Sequence, residues 1–331
     1  MEVANTALID RYKRHLNYLR ISITDRCNLK CLYCRPSGPA HKIDHNEILR
    51  YEEILRIIRI GIRLGINKVR ITGGEPLVRK DCCDFLETLA QIRGLNDISL
   101  TTNGVLLTDY IDRIVSAGIK RVNISLDTLE RRKYQEITGV DAFDRVWAGI
   151  NAAHEKGIHP IKINVVVLNG INDNELAELA ALSFQYPFHM RFIEYMPIGQ
   201  TRQCDKAPLL YPEIRSRIEK LGELMPVARQ RNDGPAMRYK FNGAIGEIGF
   251  ISAVSHHFCE QCNRLRLTAD GRIRSCLLAD IHEDIKTPLR AGRLDTELAN
   301  VLFRAVKRKP FQHAVKLDPA AINGEMISIG G

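Results

Sequence analysis

The sequence has no long apolar segment and no simple repeat. Across its 331 residues, no stretch approaches the ~20 uncharged apolar residues that are needed to cross a bilayer. The opening residues, MEVANTALIDRYKRHLNY, contain no apolar core behind a basic flank, which is the arrangement of a secretory signal. We therefore expect a soluble, cytoplasmic protein that has no membrane partner.

Acidic residues are also in deficit. The chain has 48 Lys and Arg against 39 Asp and Glu, which gives a formal net charge of +9 and a pI of about 9.1. This balance predicts a polyanionic partner, and nucleic acid, a membrane surface or a phosphate-rich small molecule would each satisfy it. Charge alone does not choose among the three.

The cysteines do not form an even set. There are nine, an odd number that cannot pair completely into disulfides, and six of them lie at short spacings. Grouped cysteines in a chain long enough to bury a core without disulfides indicate thiolate ligands in a reducing compartment. We interpret the other three, Cys82, Cys83 and Cys204, as packing or incidental thiols.

Short β-branched runs alternate with longer amphipathic stretches over the first 195 residues. Strands are predicted at 18–23, 68–72, 97–102, 121–126, 160–168 and 189–195. Helices are predicted at 51–65, 82–94, 109–118, 143–157 and 174–185, with a late helix at 296–308. This order predicts an α/β fold, an incomplete (β/α)6 TIM-type barrel with a C-terminal extension. We place the partial barrel at 1–199 and the C-terminal region at 200–331.

The stretch TDRCNLKCLYC, directly after the first predicted strand, contains Cys27, Cys31 and Cys34. In a parallel barrel, the loops that follow the strands carry the chemistry. Three thiolates can hold three irons of a [4Fe–4S] cluster and leave the fourth iron open to another ligand. A structural zinc site completed by a remote His or Cys is the alternative, although zinc sites more often use paired CxxC units.

A second stretch, FCEQCNRLRLTADGRIRSC, again offers three cysteines: Cys259, Cys262 and Cys276. A second cluster with an open iron fits this set. Arg264 and Arg266, which lie between the cysteines, can neutralise an anion through charge-assisted hydrogen bonds. A zinc site completed by His256 or His257 is the alternative here.

These motifs together resemble a known family. CxxxCxxC with Tyr33 before its last cysteine is similar to the signature of the radical S-adenosylmethionine (SAM) superfamily, as is TGGEP at 72–76 after the second strand. The combination with CNRLRLTADG and the final IGG resembles the GTP 3′,8-cyclase family of molybdenum cofactor biosynthesis. The resemblance runs from about residue 16 to residue 331 and implies a radical SAM lyase.

The resemblance implies a role for each matching residue. The first triad would hold the SAM cluster, and the SAM pocket would be lined by Tyr33, Gly74, Ser125 and Met196. The second triad would hold an auxiliary cluster. The GTP-contacting set would be Arg20, Lys68, Arg70, Thr101, Lys162, Arg191, Arg264, Leu265 and Arg266. Arg264, Arg266, Gly330 and Gly331 would serve catalysis, the two glycines by reaching into the barrel mouth. Asn103 and Asp127 lie on the same loops and receive no role.

The resemblance also implies the reaction and its partners. A 5′-deoxyadenosyl radical from SAM would abstract the hydrogen from C3′ of GTP, and the carbon radical would add to C8 of guanine. The cofactors would be two [4Fe–4S] clusters, SAM and an external one-electron reductant. The electron donor would be a protein such as flavodoxin or ferredoxin. The product would be handed to the cyclic pyranopterin monophosphate synthase.

Two departures and two alternatives accompany this interpretation. Arg35 stands where the family commonly has methionine, beside the cluster loop, where it would affect reductant docking or the cluster potential. The segment IDRYKRHLNY lacks the usual glycine-containing turn, a difference that we expect not to touch the site. The alternatives are another radical SAM enzyme with an auxiliary cluster, such as a peptide-modifying maturase, and a basic zinc protein that binds nucleic acid.

Overall fold

The first part of the chain forms alternating strands and helices. The computed structural model describes residues 7–35, 42–196, 198, 207–228, 233–256, 258–313 and 326–329. The six predicted strands are present as β1 (Tyr18–Ser22), β2 (Lys68–Thr72), β3 (Asp97–Thr102), β4 (Val122–Ser125), β5 (Ile161–Val167) and β6 (His189–Glu194). The helices are α1 (Tyr51–Arg63), α2 (Cys82–Ala90), α3 (Leu107–Ser116), α4 (Arg131–Thr138), α5 (Phe143–Glu155) and α6 (Leu176–Gln185). Five of these six helices match a prediction.

Helix α4 is the element that the sequence does not predict. Its eight residues, RRKYQEIT, include four charged side chains and bury only Tyr134, Ile137 and Thr138. A helix of two turns with so narrow an apolar stripe gives a weak periodic signal. It ends at Gly139, whose φ of +70° is a conformation that glycine adopts without a steric penalty.

The C-terminal region continues the same sheet. It contributes strands β7 (Leu224–Pro226), β8 (Met237–Phe241), β9 (Glu247–Ile251), β10 (Arg264–Leu267), β11 (Arg272–Arg274) and β12 (His282–Asp284). Its helices are α7 (Tyr211–Ile218), α8 (Lys286–Arg290), α9 (Asp295–Lys307) and α10 (Met326–Ile329). Short 3-10 turns occupy His45–Glu47, Pro76–Val78, Glu219–Leu221 and Cys259–Gln261.

The strands form one sheet in the order β12-β11-β10-β1-β2-β3-β4-β5-β6-β9-β8-β7. β10 pairs in parallel with β1, and β9 pairs in parallel with β6, so eight neighbouring strands run in one direction. The predicted incomplete barrel of six βα units with a C-terminal extension is confirmed. The added finding is that the extension supplies a parallel strand on each side of the six.

Apolar side chains from the sheet and from the helices around it form one large core. Ile57 and Leu86 are fully buried, and burial of such a side chain contributes ~1.5–3 kcal/mol. Cys82 and Cys83 lie in this core, as expected for packing residues. In the described ranges, no helix is both long and apolar enough to span a bilayer.

Candidate active site

Both cysteine triads line a single cavity at the carboxyl ends of the parallel strands. The cavity has an empty volume, including its open mouth, of about 2050 Å³. The loops after successive parallel strands meet at one edge of such a sheet, so residues far apart in the chain share a wall. The site residues that line the cavity are Arg20, Cys27, Cys31, Tyr33, Cys34, Arg70, Gly74, Thr101, Ser125, Arg191, Met196, Cys259, Cys262, Arg264, Arg266 and Cys276.

The loop of the first triad rests on the glycine turn after β2. The Gly74 N–H donates to the Thr24 carbonyl at 2.7 Å, and the Glu75 N–H donates to the Arg26 carbonyl at 2.8 Å. A Cβ on Gly74 would lie 2.3 Å from the Arg26 carbonyl oxygen, closer than atoms tolerate. Glycine is therefore required here because two loops touch, a constraint that exists before any ligand approaches.

Glu75 connects this turn to the next loop. Its buried carboxylate accepts from the Asn103 N–H at 2.6 Å, the Thr102 hydroxyl at 2.8 Å and the Leu77 N–H at 3.1 Å. Burial raises the pKa of Glu75 to about 7, although these hydrogen bonds favour the charged form. Asn103 in turn donates to the Cys27 sulfur at 3.7 Å.

Tyr33 and Asp127 meet beside the first triad. The Tyr33 hydroxyl donates to Asp127 Oδ2 at 2.7 Å, and Asp127 Oδ1 accepts from the Val166 N–H at 2.8 Å. Burial raises the pKa of Asp127 to about 6, and burial followed by the Asp127 charge raises the pKa of Tyr33. Asp127 therefore fixes the ring of Tyr33, which gives a role to a residue that received none from the sequence.

Two cysteines of the first triad, Cys27 and Cys31, favour the thiol form until a cation is present. Burial raises the pKa of Cys31, with Cys34 adding to the effect, and burial likewise raises the pKa of Cys27. A bound metal reverses this preference because it coordinates the thiolate. Arg35 folds back on the loop and donates to the Cys27 carbonyl at 3.0 Å. It thus contacts the cluster loop itself.

The second triad lies among buried cations. Burial opposes ionisation of Cys262, but Arg264 and Lys309 outweigh it and lower the pKa of this thiol to about 6. The Lys309 ammonium donates to the Cys262 sulfur at 3.4 Å. Burial acts against the charge of Arg264 as well, yet the Cys262 thiolate raises its pKa. A thiolate at neutral pH suits the donor set of an iron–sulfur cluster.

The zinc alternatives require side chains that together hold a single metal ion. Within the described ranges, no group of three His, Cys, Asp or Glu side chains is arranged to hold one metal ion. His256, named as a fourth zinc ligand, is exposed, with its Nδ1 3.2 Å from the Ser255 hydroxyl and its ring 5.5 Å from that of Tyr211. His257 lies outside the described residues.

Strand pairing builds two rows of cations on one face of the sheet. β1 lies between β10 and β2, and its Tyr18 pairs with Arg264 on one side and Lys68 on the other. Two residues further, Arg20 pairs with Arg266 and Arg70 in the same way. Residues two apart in a strand share a face, so both rows lie on the same face of the sheet.

These cations repel one another in a buried setting. Burial and then Arg266 hold the pKa of Arg20 below its ordinary range, and burial and then Arg264 lower that of Arg266 to about 9. Across the sheet, burial and then Arg70 lower the pKa of Arg191 to about 9. Burial and then Arg191 lower that of Lys162 to about 6. Buried like charges favour a polyanionic ligand, because its binding removes the repulsion.

Three members of the predicted GTP set do not line the cavity: Lys68, Lys162 and Leu265. Lys68 forms an ion pair with Asp97 at 3.1 Å. Lys162 is buried on β5, two residues before Asn164, which lines the cavity from the same face of the strand. The Leu265 side chain lies in the hydrophobic core, since Arg264 and Arg266 occupy the opposite face. For Leu265 the prediction now concerns its backbone alone.

The described end of the chain packs beside the second triad. Ile329 is buried in a small cluster with Ile198 and Leu278, against which Met196 and Cys276 also pack. Met326 of α10 lines the cavity. The chain end thereby reaches from a predicted SAM residue to a cysteine of the second triad. Gly330 and Gly331, like Cys204, lie outside the described residues.

The N-terminal segment contacts the site, so the expectation that it would not is wrong. Lys13 adopts a left-handed φ of +64° in this turn, and the next residue, Arg14, is buried. Arg14 donates to the Cys259 carbonyl at 2.6 Å and is held by Asp10 at 2.6 Å. No motif signals this contact, since Arg14 and Cys259 are 245 residues apart.

Two family models together match most of the chain. The first, "Radical SAM superfamily", matches residues 21–183, and the second, "Molybdenum Cofactor Synthesis C", matches residues 188–315. The first therefore includes the triad at Cys27, Cys31 and Cys34. The second includes the triad at Cys259, Cys262 and Cys276.

Curated relatives align with nearly the whole sequence. The protein named GTP 3′,8-cyclase from Thermodesulfovibrio yellowstonii is 46% identical over 327 residues, which is 97% of this chain and 99% of the relative. The protein of the same name from Moorella thermoacetica is 48% identical over 304 residues, 92% of this chain and 94% of the relative.

Solved structures share the fold at low identity. SuiB from Streptococcus suis bound to S-adenosylmethionine superposes with a TM-score of 0.60 at 17% identity, over 88% of this chain and 69% of SuiB. SuiB bound to the precursor peptide SuiA gives a TM-score of 0.62 over 91% of this chain and 67% of SuiB, also at 17% identity. At this identity the likeness concerns the architecture alone.

Proposed function

This chain belongs to the GTP 3′,8-cyclase family of radical SAM enzymes. From that premise we propose which residues of its cavity bind SAM, which bind GTP and which hold the iron–sulfur clusters. The enzyme converts GTP to (8S)-3′,8-cyclo-7,8-dihydroguanosine 5′-triphosphate, the first step of molybdenum cofactor biosynthesis. Its cofactors are SAM and an iron–sulfur cluster.

We propose that the first triad holds the cluster that binds SAM, and that the second triad holds an auxiliary [4Fe–4S] cluster. When bound, the first cluster supplies the electron that cleaves SAM. Tyr33, Gly74, Ser125 and Met196 surround SAM. Asp127 keeps the Tyr33 ring in place beside the triad through its 2.7 Å hydrogen bond. Asn103 steadies Cys27.

The cation rows are the proposed site of GTP. Arg20, Arg70 and Arg266 form one row whose mutual repulsion a triphosphate relieves, and Arg191 extends the positive surface across the sheet. Charge-assisted hydrogen bonds from buried arginines fix both position and orientation. Orientation is the main contribution that these residues make to the rate, because holding the C3′ hydrogen near the radical source replaces an entropic barrier.

Further elements complete the proposal. Residues 1–199 bind SAM, whereas 200–331 supply the auxiliary cluster, the paired arginines and the Gly330-Gly331 tail. The electron comes from an external one-electron donor of the flavodoxin or ferredoxin type, and the product passes to the cyclic pyranopterin monophosphate synthase. The enzyme acts in the cytoplasm.

One observation carries this proposal above its alternatives, namely that both cysteine triads and the arginines of the cation rows line one cavity. A peptide-modifying maturase shares the SAM half but gives no reason for buried, mutually repelling arginines. A basic zinc protein that binds nucleic acid explains charge and cysteines, but it does not explain an enclosed site on an incomplete barrel.

The test separates the two triads. In anaerobically reconstituted protein with dithionite, SAM and each of the four nucleoside triphosphates, we expect a cyclised product from GTP alone by mass spectrometry. Alanine at Cys27 should abolish SAM cleavage. Alanine at Cys276 should leave some 5′-deoxyadenosine formation but no cyclised product. Equal SAM cleavage by both variants, or a product from another nucleotide, would refute the assignment.

A further inference from the structure

Lys309 is a buried lysine whose hydrogen bonds go to the second triad and its surroundings. It is 2% exposed and lies two residues after the end of α9. Its ammonium donates to the Cys262 sulfur at 3.4 Å, the Arg264 carbonyl at 3.0 Å and the Ser275 carbonyl at 2.5 Å. None of these acceptors is a carboxylate. An ammonium has three N–H donors, and these contacts match that number.

The three acceptors join the two parts of the chain that carry the cysteines. Arg264 begins β10 two residues after Cys262, and Ser275 immediately precedes Cys276. One side chain therefore fixes the separation of Cys262 from Cys276. A lysine side chain has several rotatable bonds, so it can fix this separation only if its ammonium is held in place. The three acceptors hold the Lys309 ammonium in this way.

The chain beyond Lys309 is held in place as well. Arg14 donates to the Pro310 carbonyl at 2.7 Å, the Phe311 carbonyl at 3.0 Å and the Cys259 carbonyl at 2.6 Å. Arg14 thus connects the segment that carries Lys309 to Cys259, the remaining cysteine of the second triad. Arg14 is itself buried and paired with Asp10, so this attachment has little freedom.

We propose that Lys309 is a positioning residue for the second triad, which it pre-arranges for cluster binding and whose cluster it makes easier to reduce. This inference rests on the proposed auxiliary cluster. Outer partners of metal ligands orient those ligands, and their loss typically weakens metal binding about 10- to 100-fold. Hydrogen bonds to cluster sulfurs and nearby positive charge favour the reduced, more negative cluster. A buried ammonium beside Cys262 supplies both.

The test compares the buried Lys309 with an exposed lysine two residues earlier in the chain, Lys307. Lys309→Met removes the charge and the donors while keeping the length, and Lys307→Met makes the same change at an exposed position at the end of α9. Reconstituted holoproteins are challenged with an iron chelator, and the second cluster is titrated redox-potentiometrically with detection by electron paramagnetic resonance. We expect Lys309→Met to lose its second cluster about 10-fold faster and to show a more negative potential. Lys307→Met should match the wild type in both.

Further variants and the iron count distinguish a failure of the Lys309 inference from a failure of the proposed auxiliary cluster. Lys309→Gln, which retains an N–H donor without the charge, should fall between wild type and Lys309→Met, and it serves if Lys309→Met does not fold. All variants should retain SAM cleavage, since the first triad is untouched. A wild type with about four irons would refute the auxiliary cluster itself. About eight irons with unchanged retention and potential in the Lys309 variants would refute the inference alone.

Discussion

GTP binding should take up a proton at Lys162. Burial, and then the charges of Arg191 and other cations, lower the pKa of Lys162 from 10.5 to about 6. At pH 7.5 such an amine is charged in only about 3% of molecules. A bound polyanion favours the ammonium, because opposite charge nearby raises the pKa of a basic group. We therefore expect a neutral amine at Lys162 in the ligand-free site and an ammonium in the GTP complex.

The size of the effect follows from this shift. If GTP restores the ordinary pKa, each binding event takes up nearly one proton at pH 7.5. The affinity for GTP should then increase about 10-fold for each unit by which the pH falls, until it levels off near pH 6. From pH 7.5 to pH 6 this amounts to roughly 2 kcal/mol, at 1.36 kcal/mol per unit. The sign is fixed, since a group whose pKa rises on binding makes binding tighter at lower pH.

Calorimetry measures this uptake directly. Anaerobic GTP titrations of reconstituted protein at pH 7.5, in buffers of different ionisation enthalpy, give the number of protons from the slope of heat against that enthalpy. Lys162→Met should remove the slope, and the same change at exposed Lys120 should leave it intact. Measurements above pH 7 keep the GTP phosphates almost fully ionised. Heats that are the same in all buffers for the wild type, or uptake that survives in Lys162→Met, would refute the reasoning.

Three other perturbations give distinct outcomes. Burial raises the pKa of Glu75 to about 7, so its stabilising contribution is full below about pH 4.5 and is lost as the pH rises through 7. Denaturant unfolding between pH 5 and 7 should show a steeper fall in wild type than in Glu75→Gln, by up to ~1.4 kcal/mol per unit, and parallel curves would contradict this. Lys13→Gly should raise the free energy of unfolding by ~0.5–1 kcal/mol because glycine relieves the φ of +64°, with no gain from Lys13→Ala. Equal stability of the two variants would argue against strain at this turn. A chain that ends at Ile329 should keep its iron and cleave SAM but form little cyclised product, and full product formation by mass spectrometry would exclude a role for the two terminal glycines.

Local patterns made much of the fold and the first triad readable from the sequence. The six strands and five of the helices carry periodic apolar residues. Glycines with positive φ follow three of these helices, Gly65 after α1, Gly118 after α3 and Gly157 after α5, a position typical of a helix end. Cys27, Cys31 and Cys34 lie within eight residues, so their proximity needs no long-range contact. Helix α4 could not be predicted from the sequence because too few of its residues are apolar.

The GTP site shows where local pattern stops being sufficient. Arginines in strands have no signal of their own, and nothing in the sequence says that β10 lies in parallel beside β1. That pairing brings Arg264 and Arg266 next to Tyr18 and Arg20, about 246 residues earlier in the chain. The lowered pKa of Lys162 likewise depends on tertiary structure, because its causes are burial and then cations from other segments, such as Arg191 on β6 and Arg70 on β2.

The sequence by itself therefore determined the chemistry class, since ligand spacing and strand–helix rhythm are properties of neighbouring residues. The tertiary structure decided which side chains act together. Arg14, Asp127 and Lys309 belong to no motif, and each gains its role through a contact with a distant segment. Burial has the same origin, because a side chain loses its water only when other elements pack over it, and that loss sets the pKa values and the charge repulsion of the site.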